Sequence, residues 1–170
     1  MGMPSAHGTL PWSPAAEHPE LLADATADAV ASCPSAQVAP IDDTLADTAA
    51  FCAAYDVALG SSANCVVVAG RRGDRETYAA VMVLATHRAD INGVGRGPLD
   101  VRKISFAPRE EATGRTGMEF GGITPIGLPS DWPVLIDRAV LEAGPVVVGS
   151  GLRRSKILLD AADLAALPSA

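Results

Sequence analysis

The sequence predicts an α+β domain with a mixed, largely antiparallel sheet, curled or closed towards a barrel and flanked by helices. Three observations carry that reading. The β-rich runs Cys65 to Ala69 (CVVVA) and Thr77 to Ala85 (TYAAVMVLA) are separated by Arg71-Arg72-Gly73-Asp74, the composition of a hairpin. Further short apolar runs recur at 101–106, 134–136, 146–148 and 156–159. Stretches with helical spacing fall between these groups without regular βαβ alternation, which argues against a doubly wound parallel sheet.

In chain order, residues 1–18 hold Gly2, Pro4, Gly8, Pro11 and Pro14 and read as a flexible N-terminal extension to a single domain over 19–170. Glu20 to Ser32 repeats apolar positions at helical spacing and stops before Pro34. Val38 to Ile41 is a short strand. Asp42 and Asp43 are placed to cap a second helix with Leu45, Ala49, Phe51, Cys52 and Tyr55 on its inner face. Val101 to Phe106 is the strand after the hairpin. Pro108 to Thr116 reads as a helix with a proline in its first turn and acids near its start. Three more strands follow, and Asp160 to Leu167 closes the chain as a helix.

Length and composition bound the function. A chain of 170 residues can bury a substantial core. Apolar residues make up 48% but aromatics only 4%, so Ala, Val and Leu must build the interior. The net charge of −7 argues against binding long polyanions such as DNA, since that binding depends on neutralising phosphates with Lys and Arg. Contact with one nucleic-acid end through a local basic patch stays open. Cys33, Cys52 and Cys65 show no C-x-x-C spacing, so neither a disulfide framework nor a metal site is implied. No run of about 18 apolar residues occurs, and the expectation is a soluble cytoplasmic protein without a membrane partner.

Chemistry concentrates in Gly121-Gly122-Ile123-Thr124-Pro125-Ile126-Gly127-Leu128-Pro129. Three glycines and two prolines in nine positions exclude helix interior and central strand. Such a loop of fixed shape can turn its peptide N–H groups towards a ligand; a tight structural turn is the alternative. Gly93-Val94-Gly95-Arg96-Gly97 resembles a phosphate-binding run but lacks the strand–loop–helix frame and a following lysine. His87, three residues before Asp90, could pair with that carboxylate, although no nucleophile stands at recognisable spacing. Gly149-Ser150-Gly151-Leu152-Arg153-Arg154-Ser155-Lys156 follows an apolar strand and gathers three cations in four positions. It reads either as a phosphate-facing patch, extended by Arg102 and Lys103, or as a solvated hairpin end.

Taken in order, Ala63 to Val68, His87-Arg88-Ala89-Asp90, Thr116-Gly117-Met118, the loop from Gly121 to Gly127, Val134-Leu135-Ile136-Asp137 and Gly149-Ser150-Gly151 resemble the YbaK/EbsC family. Those aminoacyl-tRNA deacylase domains also occur inserted in bacterial prolyl-tRNA synthetases. The resemblance covers residues 38 to 168. It implies trans-editing: hydrolysis of the ester that joins a wrong, small amino acid (Cys, Ala or Ser) to the terminal adenosine of tRNA. In that scheme the backbone of Gly121, Gly122, Ile123, Thr124 and Pro125 holds the carbonyl and a water, and the tRNA's own ribose hydroxyl helps, so no cofactor is implied. Asp137 matches a family acidic position, with a helix cap as its alternative. Asn64, His87, Gly127, Ser150, Arg153 and Lys156 are the implied substrate-binding set. The implied partners are the aminoacyl-tRNA acceptor end and, as a further candidate, a synthetase, with the protein a monomer or homodimer. The family usually carries Lys at the position of Asn64, so either Arg153 or Lys156 supplies the missing charge or turnover is weakened. A binding module of the same fold without turnover, and an unrelated small-ester or amide hydrolase, are the rival readings.

Overall fold

The computed structural model describes residues 5–91 and 96–170. Its strands are β1 (Ser13–Pro14), β2 (Gln37–Pro40), β3 (Ala63–Arg72), β4 (Arg75–Leu84), β5 (Lys103–Phe106), β6 (Val134–Ile136), β7 (Pro145–Gly149) and β8 (Ser155–Asp160). The helices are α1 (Asp24–Ala29), α2 (Thr48–Tyr55), α3 (Arg96–Leu99), α4 (Arg109–Thr116), α5 (Arg138–Glu142) and α6 (Ala161–Ala165), with short 3₁₀ turns between several elements. The strands form two four-stranded sheets, in the orders β1-β2-β8-β7 and β5-β3-β4-β6. Every pairing is antiparallel except β4 with β6. The α+β class and the mixed, largely antiparallel sheet are therefore as expected. The curl takes the form of two sheets that meet at the parallel bridge Ser62–Val147, not a closed barrel.

The β3–β4 hairpin shows how sequence sets register. Ala63 pairs with Leu84 and the ladder runs to Arg72 opposite Arg75, leaving a two-residue turn at Gly73-Asp74. Gly73 takes a φ of +62°, which the twist-matched hairpin turn requires and glycine supplies without strain. In β7 and β8 the apolar runs are continuous because both faces are covered. Val146, Val148, Ile157 and Leu159 face the main core with Met82 and Ile126. Val147 and Leu158 face the other way, against Phe51 of α2. Full burial of each such side chain is worth about 1.5–3 kcal/mol. By the same alternation, Lys156 stands on the α2-facing side with Leu158, a cation where the pattern calls for an apolar residue.

Several expectations change. Residues 5–18, read as a loose extension, lie against the domain: Ser5 bridges Val57, β1 pairs with β2, and Ala15 is fully buried. The helix expected over 20–32 is divided into a 3₁₀ turn, α1 and a second 3₁₀ turn. Asp42 caps the 3₁₀ turn Asp43–Leu45 through Thr44 N, while α2 starts after Asp47, whose side chain caps nothing. The glycine run at 93–97 lies largely outside the described residues. Among those described, no helix is long and apolar enough to cross a membrane.

Candidate functional site

Where the two sheets meet, a cleft of about 330 Å³ opens. One wall is the start of β3, Ala63, Asn64 and Cys65, beyond the reach of β5, which pairs only with Val68 to Arg71. A second wall is the entry to α2, Ala46, Asp47 and Thr48. Gly149 and Lys156 of the other sheet form the third, and Phe120, Gly121 and Ile123 close the fourth.

The glycine–proline loop divides at this cleft. Its front half is held by backbone pairing: Gly122 N donates to Glu119 O at 2.9 Å, and Gly122 O accepts from Gly151 N at 2.6 Å. A side chain at Gly122 would meet the Leu152 backbone at 2.6 Å, so only glycine permits this approach. Among the described residues, the N–H groups of Gly121 and Ile123 donate no hydrogen bond. The back half is core. Thr124 and Ile126 are fully buried and Pro125 is buried beside them. Gly127, at φ +97°, lies so close to α1 that a Cβ would meet Ala25 O at 2.5 Å. Thr124, Pro125 and Gly127, expected to touch substrate, shape the loop from behind instead.

Two polar side chains, one from each sheet, line the cleft. Asn64 Oδ1 accepts from Thr48 Oγ1 at 2.6 Å, which fixes the amide at the cleft wall. Lys156 is 7% exposed; its Nζ donates to Ala46 O at 3.2 Å and lies 5.4 Å from the centre of the Phe51 ring. Its ammonium is brought down to about 8, chiefly by burial and in part by nearby Arg153, while Cys52 and Asp47 oppose the shift. Cys65 is no nucleophile, because burial pushes its thiol up to about 12 and keeps it protonated.

The remaining sequence candidates lie elsewhere. Ser150 is fully buried and hydrogen-bonds Ser155 Oγ at 2.6 Å, a support beneath the turn before β8. Arg153 braces the loop: Nη1 donates to Phe120 O at 2.9 Å and Nη2 to Asp43 O at 3.1 Å. His87 is exposed, with Nδ1 2.9 Å from Thr86 Oγ1, and is not part of the cleft. Asp137 caps α5, its Oδ1 accepting from Ala139 N at 3.0 Å. It lines a separate, larger groove of about 610 Å³ with apolar β4 and β6 residues. Volume alone would favour that groove, but its wall is mostly apolar and Asp137 is already engaged. Ala46, Asp47, Thr48 and Phe120 are cleft residues that sequence reasoning missed; Asp47-Thr48 carried a signal, an N-cap residue ahead of an apolar-periodic run.

The profile of the aminoacyl-tRNA editing domain family matches residues 42–167. The chain belongs to that family. Among solved structures it is similar to a proposed trans-editing enzyme for prolyl tRNA synthetase, with TM-score 0.73 and 21% identity over 87% of this chain and 92% of that one. It is equally similar (TM-score 0.73, 19% identity, 87% and 92% covered) to a protein from a computational epitope-grafting study. A hypothetical protein follows at TM-score 0.70 and 19% identity, with 79% and 87% covered. At these identities the likeness concerns the fold.

Proposed function

We propose that this protein is a trans-editing aminoacyl-tRNA deacylase that hydrolyses the ester of tRNA mischarged with a small amino acid of the Cys, Ala or Ser type. The observation that carries the reading is the pair of uncommitted N–H groups at Gly121 and Ile123, two residues that line a cleft in a chain of the editing family. Preorganised backbone donors of this kind stabilise the oxyanion that develops as water adds to a carbonyl, an effect worth about 10²–10³ in rate per donor. Gly122 locks the segment. A volume of about 330 Å³ favours small acyl groups, and each added methylene changes binding by about 1–3 kcal/mol. Asn64 and Lys156 would meet the acceptor end, and Phe120, 47% exposed at the rim with the Arg109 guanidinium 4.2 Å from its ring centre, would contact the terminal base. A cytoplasmic location and docking to a synthetase belong to the same proposal.

Release of amino acid from tRNAs mischarged with Cys, Ala and Ser tests it. Release well above the spontaneous rate on at least one member is the expected result, and none on any member rejects the proposal. The rival reading, a binding module without turnover, draws on Asn64, which is neutral and has its Oδ1 engaged by Thr48. Saturable binding of charged tRNA with no release would favour it.

A further inference from the structure

Lys156 needs an explanation that packing does not give. Its side chain is buried on the α2-facing side of β8, where the neighbouring position of the pattern is Leu158. Among the described residues it forms no ion pair, and its one hydrogen bond is to Ala46 O. A methionine or leucine would fill the same volume without removing a charge from water. A buried amine with spare hydrogen-bonding capacity therefore stands at the wall of a cleft also lined by Gly121 and Ile123, whose N–H groups donate no hydrogen bond among the described residues.

We propose that the neutral amine of Lys156 is the general base of deacylation. This rests on the deacylase reading above. In the step, water oxygen bonds to the acyl carbon as its proton passes to Nζ, and the N–H groups of Gly121 and Ile123 hold the resulting oxyanion. Collapse breaks the bond from carbon to the ribose oxygen. The ammonium returns its proton to that oxygen, so the free amino acid and the tRNA hydroxyl leave and the amine is regenerated. The groups that face Nζ tune how much of it is neutral near physiological pH. Burial and Arg153 favour the neutral amine; Asp47 at the entry to α2 favours the ammonium, as does Cys52 on α2 only in its thiolate form, which burial disfavours. Cys65, across the cleft on β3, stays uncharged. A base poised close to the working pH is the favourable case for proton transfer.

The test is single-turnover deacylation of mischarged tRNA from about pH 6.5 to about pH 9.5, corrected for spontaneous hydrolysis, with the native protein, Lys156→Arg and Lys156→Met. For the native protein the corrected rate should rise with pH through about 8 and then level, as the amine becomes neutral. Both variants should lose about 10²-fold or more in rate at saturating protein, where a change in affinity for the tRNA does not enter. Ethylamine added to Lys156→Met should restore rate in proportion to its free-base concentration, a response that a structural or purely cationic lysine would not give. Thermal melts establish that each variant is folded; if neither is, the shape of the native pH profile decides. An active native protein with an undiminished Arg variant, or with a rate that climbs without levelling, overturns the base assignment and leaves the deacylase reading standing. A native protein that releases nothing above background overturns both.

Discussion

The two halves of the glycine–proline loop behave as different materials. From Phe120 to Ile123 the chain is partly exposed, held by a few backbone hydrogen bonds, and lines a cleft with two N–H groups uncommitted. From Thr124 to Gly127 it is packed between the main core and α1, with Ile126 at 0% exposure. The second half makes the first rigid. Free donors cost little where water reaches them, and burial makes them expensive, so uncommitted donors are tolerated where the loop surfaces. The prolines and the last glycine, which dominate the sequence signature, serve the packing.

Substitutions can break this comparison. The largest effect is expected at Ile126→Ala, which empties a fully buried site in the back half. Chemical denaturation should show a loss of about 2–5 kcal/mol. If the cost were below about 1 kcal/mol, the back half would not be the rigid support described. Asp137→Ala is the control from the larger groove. Loss of its cap on α5 should lower stability by about 0.5–2 kcal/mol, with deacylation by the folded protein unchanged within about twofold. A large loss of turnover would move the site to that groove. Arg153→Ala should be the mildest for stability, within about 0.5–1 kcal/mol, because its partners are solvent-accessible carbonyls. It should still slow turnover several-fold by loosening Phe120 and Gly121. Lys at this position could not reach both carbonyls with one head group, so Arg153→Lys should not rescue it.

Lys156→Met adds a measurement with a definite sign. Unfolded, Lys156 titrates near its ordinary 10.5; folded, burial holds it at about 8. Between those values the unfolded chain binds more protons, so native stability should rise as pH climbs from about 8 to about 10.5. Below that window the penalty is complete, on the order of 3 kcal/mol. The Met variant should therefore be more stable than the native protein at neutral pH and lack that part of the rise. A destabilised Met variant would mean that Phe51 and Ala46 compensate the ammonium fully.

Much of the fold was legible. The hairpin at Gly73-Asp74, the strands at 134–136, 146–148 and 156–159, and the closing helix follow from local alternation and turn chemistry. β1 was not, because two residues containing a proline gain their pairing only from β2. The start of α2 shifted because Asp42 spends its carboxylate on Thr44, leaving Asp47 at the helix entry. The glycine loop was legible as a loop of fixed shape, but the division at Thr124 depends on α1 lying behind Gly127. Asn64 and Lys156 lie far apart in sequence, and their meeting at one cleft is a product of sheet packing that no local pattern encodes.

Two of the cleft walls belong to separate sheets that are bridged, among the described residues, at Ser62–Val147. Its aperture is thus a spacing between two independently hydrogen-bonded bodies, set by how tightly Met82, Val146 and Val148 nest along the seam. Residues outside the cleft thus set its width, and on the deacylase proposal a change of one methylene along that seam would retune which acyl groups fit while every cleft residue stays the same.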